Sequence, residues 1–205
     1  HSLRAGLPVP PGLAMSWQAV AALDEGALIS LFGKIDGPVA VRSSGIGEDG
    51  AEKSFAGQHD TVLGVEGADA IFAAVKQVAA SAHAAHVAHY RAEMGEADPV
   101  LRMGIVIQQL IPSAKAGVMF TRDPVGGTNN RVVEAAWGLG EVVVGSLVTP
   151  DHLKLDRETG GVLDMQTGDK ALYMDRDGTH PVTRDAAAAA CLNEAECRAL
   201  NTLAS

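Results

Sequence analysis

Between Ala68 and Glu93 the apolar residues Ile71, Val75, Val78, Ala82 and Ala85 follow one another at steps of 4, 3, 4 and 3. That rhythm keeps one face of a 3.6-residue helix apolar, so the stretch is a long amphipathic helix that needs a surface to lie on. The rest of the chain supplies that surface in short pieces. It is punctuated by 23 glycines and 9 prolines in 205 residues, a spacing that favours strands and turns over further long helices.

Leu7-Pro8-Val9-Pro10-Pro11-Gly12 is an extended entry and a turn, because three prolines fix φ. A helix is predicted from Ser16 to Leu31, with Trp17, Val20, Ala21 and Leu28 among its apolar positions and Gly37-Pro38 after it. Val39-Ala40-Val41 is an unbroken apolar run and predicts a strand buried on both faces. It delivers Arg42-Ser43-Ser44 at its end, before a loop from Gly45 to Gly57 that holds four glycines. Thr61–Val65 is a second strand. Val100–Leu110 is a third, nearly continuously apolar and expected to be buried on both sides.

Residues 117–121 and 131–137 flank the turn Asp123-Pro124-Val125-Gly126-Gly127-Thr128-Asn129-Asn130 as a hairpin. Residues 152–156, 161–165 and 170–174 alternate and predict a small meander. The tail from Asp185 to Ala204 is helical, with Ala186–Ala190 as a packed face. It breaks near Leu192-Asn193, where Asn193 and Glu196 have capping-box spacing. Strands and helices mix without strict alternation, which makes this an α+β chain with a mainly antiparallel sheet and flanking helices.

Charge narrows the functions. Sixteen basic against 25 acidic residues leave a net charge of −9, which disfavours duplex nucleic acid as a partner but not a single nucleotide, since that needs only a few local cations and amides. Cys191 and Cys197 fit neither a disulfide framework nor a zinc spacing, so a cytoplasmic location is predicted. No apolar run approaches the ~20 residues of a membrane span. The chain opens on His1-Ser2 without methionine, and the expectation is a fragment of a longer protein.

Arg42-Ser43-Ser44 at a strand end, followed by a glycine-rich loop that returns through Ser54-Phe55-Ala56-Gly57-Gln58-His59-Asp60-Thr61, assembles a guanidinium, hydroxyls and loop amides. Those are the groups a phosphate needs. The same residues also suit a surface turn with a structural arginine, and the loop has neither a Gly-Lys-Ser/Thr nor a dinucleotide fingerprint. Asp175-Arg176-Asp177-Gly178 is a turn, because the twelfth position of a calcium loop would be Ala186. His83, His86 and His89 are helix-face histidines, since steps of three sweep ligands around the helix.

The wording of the sequence carries more. Val39-Ala40-Val41-Arg42-Ser43-Ser44, Glu48-Asp49 and Ser54-Phe55-Ala56-Gly57-Gln58 resemble the nucleotide-binding domain of phosphoenolpyruvate synthases, pyruvate phosphate dikinases and rifampicin phosphotransferases. The resemblance continues, in the family's order, through Val106-Ile107-Gln108-Gln109-Leu110, Ala116-Gly117-Val118-Met119-Phe120-Thr121-Arg122-Asp123-Pro124 and Glu134-Ala135-Ala136-Trp137-Gly138-Leu139-Gly140-Glu141-Val142-Val143. It implies one ATP-binding domain over 1–205, of ATP-grasp-like fold, with lobes of approximately 1–110 and 111–205 holding ATP between them.

It also implies roles. Arg42 would contact the phosphates of ATP, Gly57 would let the loop backbone approach them, Thr61 would offer its hydroxyl, and Gln108 would sit beside the adenosine. Asp123, Glu134 and Glu141 lie in matched motifs as further ATP-site candidates. The implied partners are a swivelling phosphohistidine domain and a pyruvate-binding domain outside this chain. The implied reaction forms phosphoenolpyruvate, AMP and phosphate from ATP and pyruvate, or phosphorylates an antibiotic instead, and a noncatalytic nucleotide-binding module is the alternative of another class. The sequence departs from the family in lacking its phosphate-binding lysine motif and the later segment that holds Mg²⁺, and in a shorter Gly12–Arg42 interval. ATP and Mg²⁺ are the expected cofactors, with no metal ligand in this chain and no turnover by this chain alone.

Overall fold

The computed structural model describes residues 2–23, 26, 37–45, 61–94 and 103–205. The chain divides into two compact units, His1–Ile111 and Pro112–Ser205. Both are α+β and antiparallel.

The first unit is a four-stranded sheet with one long helix against it. Strands β1 (Gly12–Met15), β2 (Val39–Gly45), β3 (Thr61–Val65) and β4 (Met103–Gln109) are ordered β1-β4-β2-β3. Helix α2 (Ala68–Met94) packs on β2, β3 and β4. Its Ile71, Ala74, Val75 and Val78 meet Val39, Val41, Val65, Ile105 and Ile107 in one core, so Ile71, Val75 and Val78 of the predicted rhythm are on the buried face, while the side chains of Ala82 and Ala85 lie outside the described residues. The histidines at 83, 86 and 89 lie on the helical backbone, but their side chains lie outside the described residues.

Three expectations need correction in this unit. Helix α1 (Trp17–Ala21) is capped by the Ser16 hydroxyl, which accepts from the Ala19 N–H, and stops at Ala22. Of the predicted continuation to Leu31, residues 24, 25 and 27–31 lie outside the described residues. Strand β2 does not end at Val41 but runs through Arg42, Ser43 and Ser44 to Gly45, all paired with β4. The backbone of these residues is therefore held by ladder hydrogen bonds rather than by a loop. Val39, Ala40 and Val41 are buried on both faces as expected, whereas β4 buries Met103, Ile105 and Ile107 and leaves Gly104 and Val106 half-buried. Alternate residues point to opposite faces, and α2 lies on only one of them.

In the second unit, β5 (Lys115–Phe120), β6 (Arg131–Trp137), β7 (Asp151–Leu155) and β8 (Val162–Gln166) run in sequence order. The β5–β6 hairpin is as predicted. One face packs Val133, Ala135, Leu153 and Leu155 against Cys191 of the tail and Cys197 of α5 (Glu194–Leu203). Both thiols are buried, and desolvation pushes Cys191 up to about 12. The other face packs Ala136 and Val118 against Val142 and Val143 of α3 (Glu141–Val144).

The predicted meander breaks at its third strand. β9 (Leu172–Asp175) leaves β8 and pairs instead with β10 (Gly178–Pro181), across the turn at Asp175–Gly178. The residues before it are pinned elsewhere: Lys170 is fully buried against Asp151 at the start of β7, and Asp151 also accepts from the N–H groups of Gly168 and Cys191 at 2.9 and 2.8 Å. A second correction concerns the alanine run. Helix α4 (Arg184–Ala188) buries none of its residues and ends within the run, with Ala188–Ala190 exposed.

The break at Leu192-Asn193 and the capping box are present, with Asn193 accepting from the Glu196 N–H at 3.0 Å and Glu196 accepting from the Asn193 N–H at 2.9 Å. The Glu196 carboxylate also receives Lys115 from the edge strand β5 at 2.8 Å. Asn193→Ala removes the cap, and a loss of about 1 kcal/mol is expected in urea unfolding.

Candidate functional site

The first unit gathers three of the sequence-predicted residues on one side of its sheet. In the β2–β3 ladder Arg42 stands directly opposite Thr61, and in the β2–β4 ladder Ala40 stands opposite Gln108 while Arg42 stands opposite Val106. Residues opposite each other in antiparallel strands share a face, as do residues two apart along one strand. Arg42, Thr61 and Gln108 therefore share a face, the one turned away from α2 and its core residues Val39, Val41, Ile105 and Ile107.

Small residues flank them on the sheet. Gly12 and Ala14 of β1 stand opposite Gln108 and Val106, and Gly104 stands opposite Ser44. Arg42 and Thr61 are exposed; Arg42 lies three residues before the end of β2 and Thr61 is the first residue of β3, the two strands between which the glycine-rich segment runs. Gly57 belongs to that segment and lies outside the described residues. Gln108 has a further bond that the sequence did not signal: its Nε2 donates to the Pro10 carbonyl at 3.2 Å. The Gln109 N–H donates to Pro11 O at 2.8 Å, so β4 holds the proline-rich entry by both side chain and backbone.

The second unit carries the other three candidates on the side of its sheet away from α5. Glu134, in the middle of β6, stands between Val118 of β5 and His152 of β7. Its carboxylate is 3.7 Å from His152 Nδ1 and half-exposed. Glu141 is the first residue of α3, which packs on that same side.

Asp123 sits in the β5–β6 turn with its carboxylate committed to building it. Oδ1 accepts from the N–H groups of Val125 and Gly126 at 3.0 and 2.7 Å, Oδ2 accepts from Thr128 Oγ1 at 3.1 Å, and Lys154 is 3.0 Å away. The Gly126 amide first, then Lys154, hold this carboxyl far below the usual carboxylate range, against the opposing effect of burial. Its geometry is that of a turn-forming carboxylate.

Sequence reasoning missed His152 and Lys154, which alternate with the buried Leu153 and Leu155 along β7. The period of two was the available signal, since it places both side chains on the face that carries Glu134. Among the described residues, no group of three or more His, Cys, Asp or Glu side chains comes together that could hold a metal ion. No helix among them is long and apolar enough to cross a membrane.

Residues 25–205 match the pyruvate phosphate dikinase, AMP/ATP-binding domain family. The chain belongs to this family. A probable phosphoenolpyruvate synthase of Methanothermobacter thermautotrophicus is 38% identical over 159 residues, which is 78% of this chain and 23% of that protein. The phosphoenolpyruvate synthase of Pyrococcus furiosus is 41% identical over 149 residues, 71% of this chain and 18% of that one. The prodigiosin synthesizing transferase PigC of Serratia marcescens is 36% identical over 217 residues, 89% of this chain and 24% of that protein. The chain thus spans less than a quarter of the length of each of these relatives. Arg42, Thr61, Gln108, Asp123, Glu134 and Glu141 all fall inside the matched AMP/ATP-binding domain.

Proposed function

We propose that this chain is the ATP-binding part of a phosphoenolpyruvate synthase-type phosphotransferase, an ATP-grasp-like domain whose lobes are approximately residues 1–110 and 111–205. The observation that carries the reading is the juxtaposition of Arg42 and Thr61 as cross-strand neighbours, with Gln108 on the same face, inside an AMP/ATP-binding family match. A guanidinium and a hydroxyl held side by side on ladder-paired backbone are preorganised donors for phosphate oxygens.

On this reading Arg42 and Thr61 bind and orient the phosphates of ATP, with the Gly57 segment approaching them by its backbone, and Gln108 bounds the adenosine end. Glu134 and Glu141 are nucleotide contacts of the second unit, while Asp123 shapes the β5–β6 turn. Mg²⁺ neutralises phosphate charge when it accompanies the nucleotide. On this reading Arg42, Thr61, Gln108, Glu134 and Glu141 serve the nucleotide itself.

The phosphoryl group would pass to a histidine on a separate domain and then to pyruvate, giving phosphoenolpyruvate, AMP and phosphate. The protein would act in the cytoplasm. The match to a prodigiosin synthesizing transferase over 89% of the chain favours a second reading, in which the same ATP half-reaction serves another acceptor.

Calorimetric titration of ATP with Mg²⁺ into the full chain and into Arg42→Ala tests the reading. The variant is expected to bind roughly tenfold to a hundredfold more weakly, as loss of hydrogen bonds between charged groups costs about 1.5–3 kcal/mol. Equal affinities, or no binding by the parent chain, would overturn it.

A further inference from the structure

The turn that leads from β6 into α3 is held by a strand of a different sheet. Gly138 has φ +82°, and a Cβ at this position would stand 2.3 Å from the carbonyl oxygen and 2.8 Å from the amide nitrogen of Met174 in β9. Only glycine allows that approach. Gly138 and Met174 form a parallel bridge, and the Leu139 N–H donates to Met174 O at 2.8 Å.

The opposite flank is bound as well. The Gly138 N–H donates to Ala114 O at 2.9 Å, and its carbonyl accepts from Ser113 Oγ at 3.0 Å. Below the turn, Met174 packs with Ala136, Val142 and Val143.

Glu141 begins two residues beyond Leu139. Helix α3 has four residues and an N-cap, Gly140, that makes no side-chain cap bond, so the helix itself contributes little to fixing where Glu141 stands. The β9–β10 hairpin supplies what α3 lacks, and it has a clasp of its own. Asp175 Oδ1 accepts from the Asp177 N–H at 2.8 Å and lies 3.1 Å from His180 Nε2, while the His180 and Tyr173 rings lie 5.2 Å apart.

The geometry points to the β9–β10 hairpin as a positioning element for Glu141, acting through the Met174 backbone on Gly138 and Leu139, so that nucleotide affinity contributed by Glu141 depends on this bracket. The inference rests on the proposed reading of Glu141 as a nucleotide contact.

A double-mutant cycle on the full chain tests it. Gly138→Ala and Glu141→Gln are each expected to weaken ATP binding roughly three- to thirtyfold, and the double variant to bind no more weakly than the weaker single one. Amide exchange at Leu139 is expected to quicken in Gly138→Ala, a change that a general loss of stability would spread over β6 and β7 instead.

Additive losses in the cycle, or parental affinity in Gly138→Ala, would overturn the inference. Where Gly138→Ala does not fold, Asp175→Ala opens the clasp without touching the turn, and the same non-additivity with Glu141→Gln is expected. Additivity or parental affinity there overturns the inference equally. If Arg42→Ala weakens binding while Glu141→Gln does not, the bracket has no functional role and the nucleotide reading stands. If the parent chain binds no ATP, both fall together.

Discussion

Lys170→Met is expected to lower the unfolding free energy by about 3–5 kcal/mol, the usual cost of removing one partner of a buried ion pair. Neither side chain of the pair is exposed at all, so Asp151 would be left in the core with its Lys170 partner gone. The N–H groups of Gly168 and Cys191 still point at it, and they compensate only part of the loss. Those same amides explain why replacing both ionic partners by apolar residues would not restore stability: two buried donors would then have no acceptor. Urea unfolding followed by Trp137 fluorescence reads the result, and a loss under about 1 kcal/mol would show that the pair contributes no more than an exposed one.

Acid gives the same pair a second signature. Burial pushes the Asp151 carboxyl up, but the Lys170 ammonium and the Cys191 and Gly168 amides together outweigh it and hold it below its ordinary value. A carboxyl depressed on folding contributes stability that is fully present above its unfolded pKa of about 3.9 and is lost as pH falls below that through the folded value. The parent chain is therefore expected to lose stability below about pH 4, and Lys170→Met to lose less over the same interval, because its principal attraction for the charged form is gone. Parallel pH profiles for the two proteins would remove Lys170 from the account.

Arg131→Met is the second large effect, with an expected loss of about 3 kcal/mol. Arg131 is 1% exposed. It donates to the carbonyl and side-chain oxygens of Asn201, to Ala204 O at 2.9 Å and to Ser205 Oγ at 3.0 Å, so β6 places a cation under the last carbonyls of α5, where the helix dipole favours it. Each hydrogen bond to a charged group contributes about 1.5–3 kcal/mol, and water recovered by the freed terminal carbonyls offsets part of the sum. The loss should be concentrated in α5, with its amides exchanging faster than those of β6 and β7. Uniform loss of protection across the unit would show that Arg131 supports the sheet instead.

The domain family, the hairpin, the long helix and the capping box were legible in the sequence because each is written within a short stretch of chain. A period of 3.6, a glycine turn between apolar runs and a cap three residues before its glutamate all act over one or two turns of backbone. Arg42, Thr61 and Gln108 were legible as candidates for the same reason, through the words that surround them. Their sharing of one sheet face depends on a register that joins residues 42, 61 and 106, and only the strand order β1-β4-β2-β3 sets it.

What the sequence could not contain were the contacts made across long intervals. Lys170 reads as the first residue of the third meander strand, with nothing beside it to mark a buried cation, until β7 brings Asp151 to it. Arg131 begins the predicted strand 131–137 with no local sign of what it meets, and only α5, 70 positions later, closes over it. Strand β9 alternates like a meander strand and still departs, because Gly138 offers it a backbone approach that no side chain on β8 can match. Local sequence decides which elements form, since the forces involved are local. Tertiary structure decides which polar groups are stripped of water, and those groups had to find their partners wherever the fold placed them.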